Sequence, residues 1–170
     1  MKRIFRLSAL MFLFAFSVIT ISACGGGEEV NETTAPVTEP AVQTQTWGNI
    51  TLAVPEGYEL HGGSMLDEKD PNGLFLQMTG QATNYFSINV VDNDDIAENS
   101  IETTRDVNSA DDASVTVGST EWKGVAYNSS GVDCFHMYGK VGGKTVLVMC
   151  AGNSYQSDVA KGVLESITIS

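Results

Sequence analysis

Positive charge is scarce in this chain. Nine Lys and Arg stand against 21 Asp and Glu in 170 residues, a formal net charge of −12. A surface of that sign repels phosphate backbones and anionic headgroups, so neither nucleic acid nor acidic lipid is an expected partner. Histidine is nearly absent, with only His61 and His136, far apart in sequence. No serine elbow, phosphate-binding glycine loop, zinc-binding helix or paired-glutamate signature occurs, and no internal repeat. The sequence therefore assigns no catalytic residue and no cofactor.

What is present begins at the N-terminus. Lys2, Arg3 and Arg6 are basic, and Leu7 to Ile21 is apolar apart from Ser8, Ser17 and Thr20. The small residues Ser22 and Ala23 follow, then Cys24. This is the layout of a secretory leader, and its apolar run is shorter than the ~20 residues that a spanning helix needs. Ile21-Ser22-Ala23-Cys24, followed by Gly25-Gly26-Gly27, resembles the lipobox of bacterial lipoproteins. The resemblance implies a diacylglyceryl group on the Cys24 thiol and cleavage before it, with residues 1–23 as signal peptide. Two acyl chains hold a protein stably at a membrane where one holds it marginally. The expected location is the extracytoplasmic side of the cell membrane. In a two-membrane bacterium the outer membrane is expected, because Gly25 stands where an inner-membrane retention aspartate often lies.

Residues 24–46 read as the lipidated N-terminus and a disordered tether. Three glycines, Pro36 and Pro40 break regular structure, Glu28, Glu29, Glu32 and Glu39 repel one another, and no apolar period appears. As a flexible coil this stretch reaches about 25 Å. Loss of Lys2, Arg3 and Arg6 with the leader takes the formal charge from −12 to −15.

Residues 47–170 suit one domain. Ile50–Val54, Leu74–Met78 and Tyr85–Val91 alternate as strands. Asp94 or Asp95 can cap a surface helix from Ile96 to about Val107. Further strands follow around Val115–Val117, Glu121–Tyr127, Asp133–Tyr138 and Lys144–Ala151. Ser154 can cap a last helix with Tyr155, Val159 and Val163 inward, and Ile167 to Ile169 can close as a strand. His61 to Gly73 reads as a polar loop. The fold class is α+β: a mostly antiparallel sheet with two helices packed on it. The opening Ile50-Thr51-Leu52-Ala53-Val54-Pro55-Glu56-Gly57-Tyr58, the long hairpins and the closing helix resemble the PsbP/Mog1-like sandwich. That family holds accessory and binding proteins, so the resemblance implies a binding role and carries over no functional residue.

Three constellations carry chemistry on paper. With Cys24 lipidated, Cys134 and Cys150 are an even pair in an exported domain. If Lys140 pairs with Lys144 they face each other on one sheet face and can form a disulfide. A turn one residue different puts them on opposite faces as two buried thiols. Cys134 and His136 share a strand face, which allows a nucleophile–base pair, or a soft-metal site with Cys150. Asp92, Asp94, Asp95 and Glu98 offer carboxylates for a divalent cation, or simply cap a helix and interact with its dipole. Trp47, Tyr58, Trp122, Tyr127 and Tyr138 either line a ligand surface or pack the core.

The functional expectation is a membrane-anchored, non-enzymatic binding or accessory domain whose partner is an envelope protein or small ligand. The alternatives are a small-ligand or divalent-cation binder using the Asp92–Asp95 edge, and a thiol-dependent envelope enzyme using Cys134 and His136.

Overall fold

The structure, a computed structural model, describes residues 43–64 and 67–170. Cys24, the leader and most of the tether lie outside the described residues. Ten strands and two helices follow in order: β1 Gln43–Trp47, β2 Ile50–Val54, β3 Tyr58–Gly62, β4 Gly73–Met78, β5 Tyr85–Val91, α1 Asp94–Asn108, β6 Asp111–Val117, β7 Thr120–Ser129, β8 Val132–Val141, β9 Lys144–Ala151, α2 Asp158–Ser166 and β10 Thr168–Ile169.

The strands form two antiparallel sheets. Seven run in the order β3-β4-β5-β9-β8-β7-β6, and three in the order β1-β2-β10. Period-2 alternation explains the layering. One face of the large sheet presents Leu74, Leu76, Phe86, Ile88, Trp122, Phe135, Met137, Val146, Val148 and Cys150. The small sheet adds Ile50, Leu52 and Val54, and α2 adds Ala160, Val163 and Leu164, to the same apolar cluster. The opposite face of the large sheet carries α1, where Ala97 and Ile101 pack on Val125, Tyr138 and Leu147. The result is the expected α+β sandwich, with one helix on each side of the large sheet.

Several local expectations change. β1 occupies the end of the stretch read as tether. Its first four side chains are exposed, so no apolar period marks it, and backbone pairing with β2 holds it. β3 falls partly in the expected polar loop, because only Tyr58 and Leu60 of its five residues face inward. β6 begins at Asp111, four residues before the strand expected around Val115–Val117. The cap of α1 is Asn93, whose Oδ1 accepts from the Ile96 amide at 3.0 Å, so Asp94 and Asp95 sit in the first turn instead. α2 is capped by Ser157 rather than Ser154, with Ala160, Val163 and Leu164 inward and Val159 outward.

One turn decides the cysteine question. Gly142 and Gly143 both have positive φ, 58° and 79°. They form a two-residue hairpin loop, a conformation that glycine adopts without a Cβ penalty. Val141 therefore pairs with Lys144, one step from the Lys140–Lys144 alternative, and Cys134 pairs with Ala151 while Cys150 pairs with Phe135. Successive residues point to opposite faces, so the two cysteines cannot meet. Of the two alternatives, the structure has two free, buried thiols.

Candidate functional site

α1 packs over β7, β8, β9 and β5. The side chains on the same face toward β3 and β4 lie beyond it. Registers across five strands define one row here: His61 on β3, Phe75 on β4, Ser87 on β5, Met149 on β9 and His136 on β8. The next row is Glu59, Gln77, Tyr85, Ala151, Cys134 and Tyr127. Paired residues share a face, so these side chains lie on the same sheet face as α1, which meets them at His136 through Thr104.

Aromatic rings make the raised part of that surface. Phe75 and Tyr85 stack, with centroids 4.9 Å apart and planes 22° from parallel. Both remain half-buried. Tyr85 Oη reaches Met149 Sδ at 3.9 Å, a weak contact. Tyr127, also half-buried, stands at the far end of the row past Ala151 and Cys134. Burial raises the pKa of both tyrosines, so they stay neutral hydroxyls at physiological pH.

His136 lies where the uncovered surface meets α1. It is 2 % exposed. Its Nδ1 is 2.7 Å from Thr104 Oγ1, and that hydroxyl also lies 3.0 Å from the Ser100 carbonyl as donor. A threonine hydroxyl has one proton. Spent on the Ser100 carbonyl, it leaves Thr104 Oγ1 as acceptor, so the imidazole donates from Nδ1. The reverse assignment would set two lone pairs against each other at Ser100. Nε2 therefore carries the free lone pair. It makes no hydrogen bond within the described residues. His136 is one of the residues that line a groove of about 230 Å³, with Ser64, Ser87, Asn89, Ser100, Leu147 and Met149. Burial pulls the pKa of His136 down to about 4, so the ring is neutral at pH 7.

The acidic cluster does not assemble into a cation site. Asp94 Oδ1 lies 2.7 Å from Lys140 Nζ and accepts from Thr145 Oγ1 at 2.7 Å. These contacts hold its pKa below the usual carboxylate range. Glu98 accepts from Tyr138 Oη at 2.5 Å and faces Lys123 Nζ at 3.7 Å. Asp92 and Asp95 point outward with neither. No group of three His, Cys, Asp or Glu among the described residues is placed to hold a metal ion. Asp94 and Glu98 instead link α1 to β7, β8 and β9 through Lys123, Tyr138, Lys140 and Thr145.

The thiol pair does not assemble either. Cys134 Sγ contacts the Val132 carbonyl at 3.6 Å, while His136 is committed to Thr104. The two make no hydrogen bond with each other. Burial raises the Cys134 pKa and pushes Cys150 up to about 12, the reverse of what an activated thiolate needs. Cys150 faces the core on the other side of the sheet, so the three-ligand soft-metal set is also corrected.

Of the aromatics singled out by sequence, Tyr127 alone lies on the uncovered face. Tyr58 and Trp122 belong to the core, and Tyr138 lies under α1. Trp47 donates from Nε1 to the Asp70 carbonyl at 3.0 Å and covers Gly62, where a Cβ would come within 2.1 Å of its ring. It pins the start of the domain. Phe75 and Tyr85 are the residues that sequence reasoning passed over. The available signal was their phase: each is an aromatic out of step with the inward residues Leu74, Leu76, Phe86 and Ile88.

A second groove, of about 520 Å³, runs between α1 and β6–β7. Its charged lining is paired internally, Arg105 with Glu102 and Asp112, and Lys123 with Glu98.

No protein-family model matches this chain, and no curated protein is similar to it in sequence. Solved structures give fold-level likenesses. One is a protein of Bacteroides thetaiotaomicron VPI-5482, at 13% identity and TM-score 0.40 over 71% of this chain and 45% of that one. This chain thus spans less than half the length of the Bacteroides protein. Another is the cyanobacterial PsbP (CyanoP) of Synechocystis sp. PCC 6803, at 12% identity and TM-score 0.39 over 80% of this chain and 96% of that one.

Proposed function

We propose that this protein is a lipid-anchored, non-enzymatic binding protein of the bacterial envelope. Acyl chains on Cys24 hold it at the membrane on the extracytoplasmic side, the outer membrane in a two-membrane cell. The glycine- and glutamate-rich segment after Cys24 is a tether, and the uncovered half of the large sheet meets the partner, an envelope protein or a small ligand. The observation that carries this reading is the surface itself. A stacked Phe75–Tyr85 pair shares one sheet face with Met149, beside the edge of α1 where His136 meets Thr104. Half-buried aromatics beside a convergent polar group are characteristic of binding sites. The raised thiol pKa values and the separation of Cys134 from His136 weigh against a thiol enzyme.

The test is photo-crosslinking in cells, from position 75 and, as control, from Val107, which is 77% exposed on the outer side of α1. The expected result is a discrete product from position 75 in the membrane fraction, none from position 107, and loss of the product when Cys24→Ala releases the anchor. Equal products from both positions, or none from position 75, would contradict the reading.

A further inference from the structure

We propose that α1 is an acid-released latch: on acidification it leaves the large sheet and frays, while the sandwich beneath it stays folded. Three observations converge on this.

The first is the chemistry of its fastenings. Among the described residues, every side-chain hydrogen bond or ion pair from α1 to the large sheet ends on a carboxylate or on His136. Asp94 holds Lys140 and Thr145, and Glu98 holds Tyr138 and Lys123. Arg105 holds Asp112, and Thr104 holds His136. A carboxylate pairs with a cation and accepts through both oxygens only while ionised. The other helix is fastened differently. Ser166 Oγ on α2 accepts from the Ala53 amide at 3.0 Å, a contact with no ionisable group.

The second is thin apolar support. α1 contributes Ala97 and Ile101 to a small cluster with Val125, Tyr138 and Leu147. α2 instead enters the large cluster between the two sheets. Apolar stabilisation scales with buried area, so polar contacts carry more of the docking of α1. A helix of 15 residues without its support is marginal in water. Two-residue connections to β5 and β6 leave little slack for an intact helix to swing out. Release therefore means loss of helix, an opening confined to one part of the fold.

The third is the placing of His136. It is 2 % exposed, with α1 over it at Thr104. A proton added there meets no free counter-charge. On β8 its neighbours on the same face are Cys134 and Tyr138, on β7 the titratable groups are Lys123 and Tyr127, and on β5 Tyr85. Burial raises the pKa of the thiol and of all three tyrosines, so they are neutral in acid. Lys123 is a like charge. On α1, Glu98 and Arg105 are already paired, and Met149 and Leu147 on β9 do not titrate. An unpaired buried charge is costly, and exposure to water removes that cost.

The sign follows. The docked ring has a pKa of about 4, and a solvated one about 6.5. Between those values the released state binds a proton that the docked state refuses, so falling pH favours release. The ratio of released to docked α1 rises by about twentyfold from pH 7 to pH 5, and by about a hundredfold at pH 4. Asp94, held below the usual carboxylate range, adds to this at more acid pH.

The test is hydrogen exchange with mass spectrometry on the full chain at pH 7, 5 and 4, corrected for the intrinsic pH dependence of exchange. The expected result is a fall in the protection of α1 amides by about twentyfold at pH 5 and about a hundredfold at pH 4, with β5, β8, β9 and α2 still protected. His136→Asn places an amide donor near the position of Nδ1 and cannot titrate, so its α1 should keep its protection between pH 7 and pH 5. Loss of protection in α1 and the sheet together, an α1 unchanged down to pH 4, or the same fall in His136→Asn would overturn the proposal. Should that variant fail to fold, a ¹⁵N-histidine titration of the unaltered chain decides. The His136 ring must take up its proton over the same pH range in which α1 loosens; a ring protonated under a still-protected α1 overturns the latch.

Discussion

His136 Nδ1 on β8 and Thr104 Oγ1 on α1 lie 2.7 Å apart, and this contact ties the helix to the floor of the uncovered face. It sets which imidazole nitrogen carries the proton, through Thr104, a helix residue that the sequence does not single out.

Thr104→Val keeps the shape of the side chain and removes the acceptor. The buried Nδ1–H is then orphaned, at a cost of about 1–3 kcal/mol. Urea denaturation should show a drop of that size, with Thr104→Ser near wild type. A Thr104→Val protein as stable as wild type would mean that the contact is idle.

The His136 ring also gives the protein a defined acid dependence. Its pKa is about 4 when folded and about 6.5 in an unfolded chain. Between those values the unfolded state binds a proton that the native state refuses, so stability falls as pH drops from about 6.5 to about 4. The accumulated loss is of order 3 kcal/mol, and above the unfolded value the ring contributes no slope. Asp94, whose folded pKa is lowered, adds its own loss at more acid pH, as protonation removes its pairing with Lys140. Denaturation curves at a series of pH values should show the upper window in wild type and a flatter slope there in His136→Phe. Identical slopes would place a solvated histidine at this position.

Cys134 and Cys150 are free, buried and on opposite sheet faces. In the mature protein a thiol reagent should find no reactive cysteine in the native state and two after denaturation. Reducing agent should leave the melting temperature unchanged. A mass deficit of two hydrogens linking the two cysteines would require a different β8–β9 register.

Trp47 closes the small sheet against the polar loop before β4. Trp47→Ala removes its ring from Gly62 and its hydrogen bond to the Asp70 carbonyl. For a half-buried ring the loss should be about 2 kcal/mol, below the 3–5 kcal/mol of a core tryptophan. Hydrogen exchange should accelerate first in β1, whose side chains are largely exposed. Uniform acceleration across the large sheet would show that Trp47 belongs to the main core.

Elements with strong periods were legible in the sequence. β2 alternates cleanly, and β4, β5, β8 and β9 carry dense apolar runs, so the sheet and the α+β class follow from pattern. β1 and β3 were not legible, because exposed Gln43, Thr44 and Gln45, and Glu59 and His61, leave too few inward residues to set a period. The helix caps moved by one to three residues, since Asn93 and Ser157 compete with nearby Asp94 and Ser154 for the same role. The site was the least legible part. Phe75 and Tyr85 become neighbours through the β4–β5 register, Met149 and His136 through the β8–β9 register, and the latter register turns on a single residue at Gly142-Gly143. The thiol and carboxylate candidates were visible as chemistry, but their partners, Val132, Lys140, Tyr138 and Lys123, were assigned by the fold.

Every functional step here presupposes presentation from a membrane, so the most direct measurement is intact and peptide mass spectrometry of the membrane-extracted protein. The account predicts a mature N-terminus at Cys24 carrying added diacylglyceryl mass. An N-terminus elsewhere, or at Cys24 with a free thiol and no lipid, would contradict it.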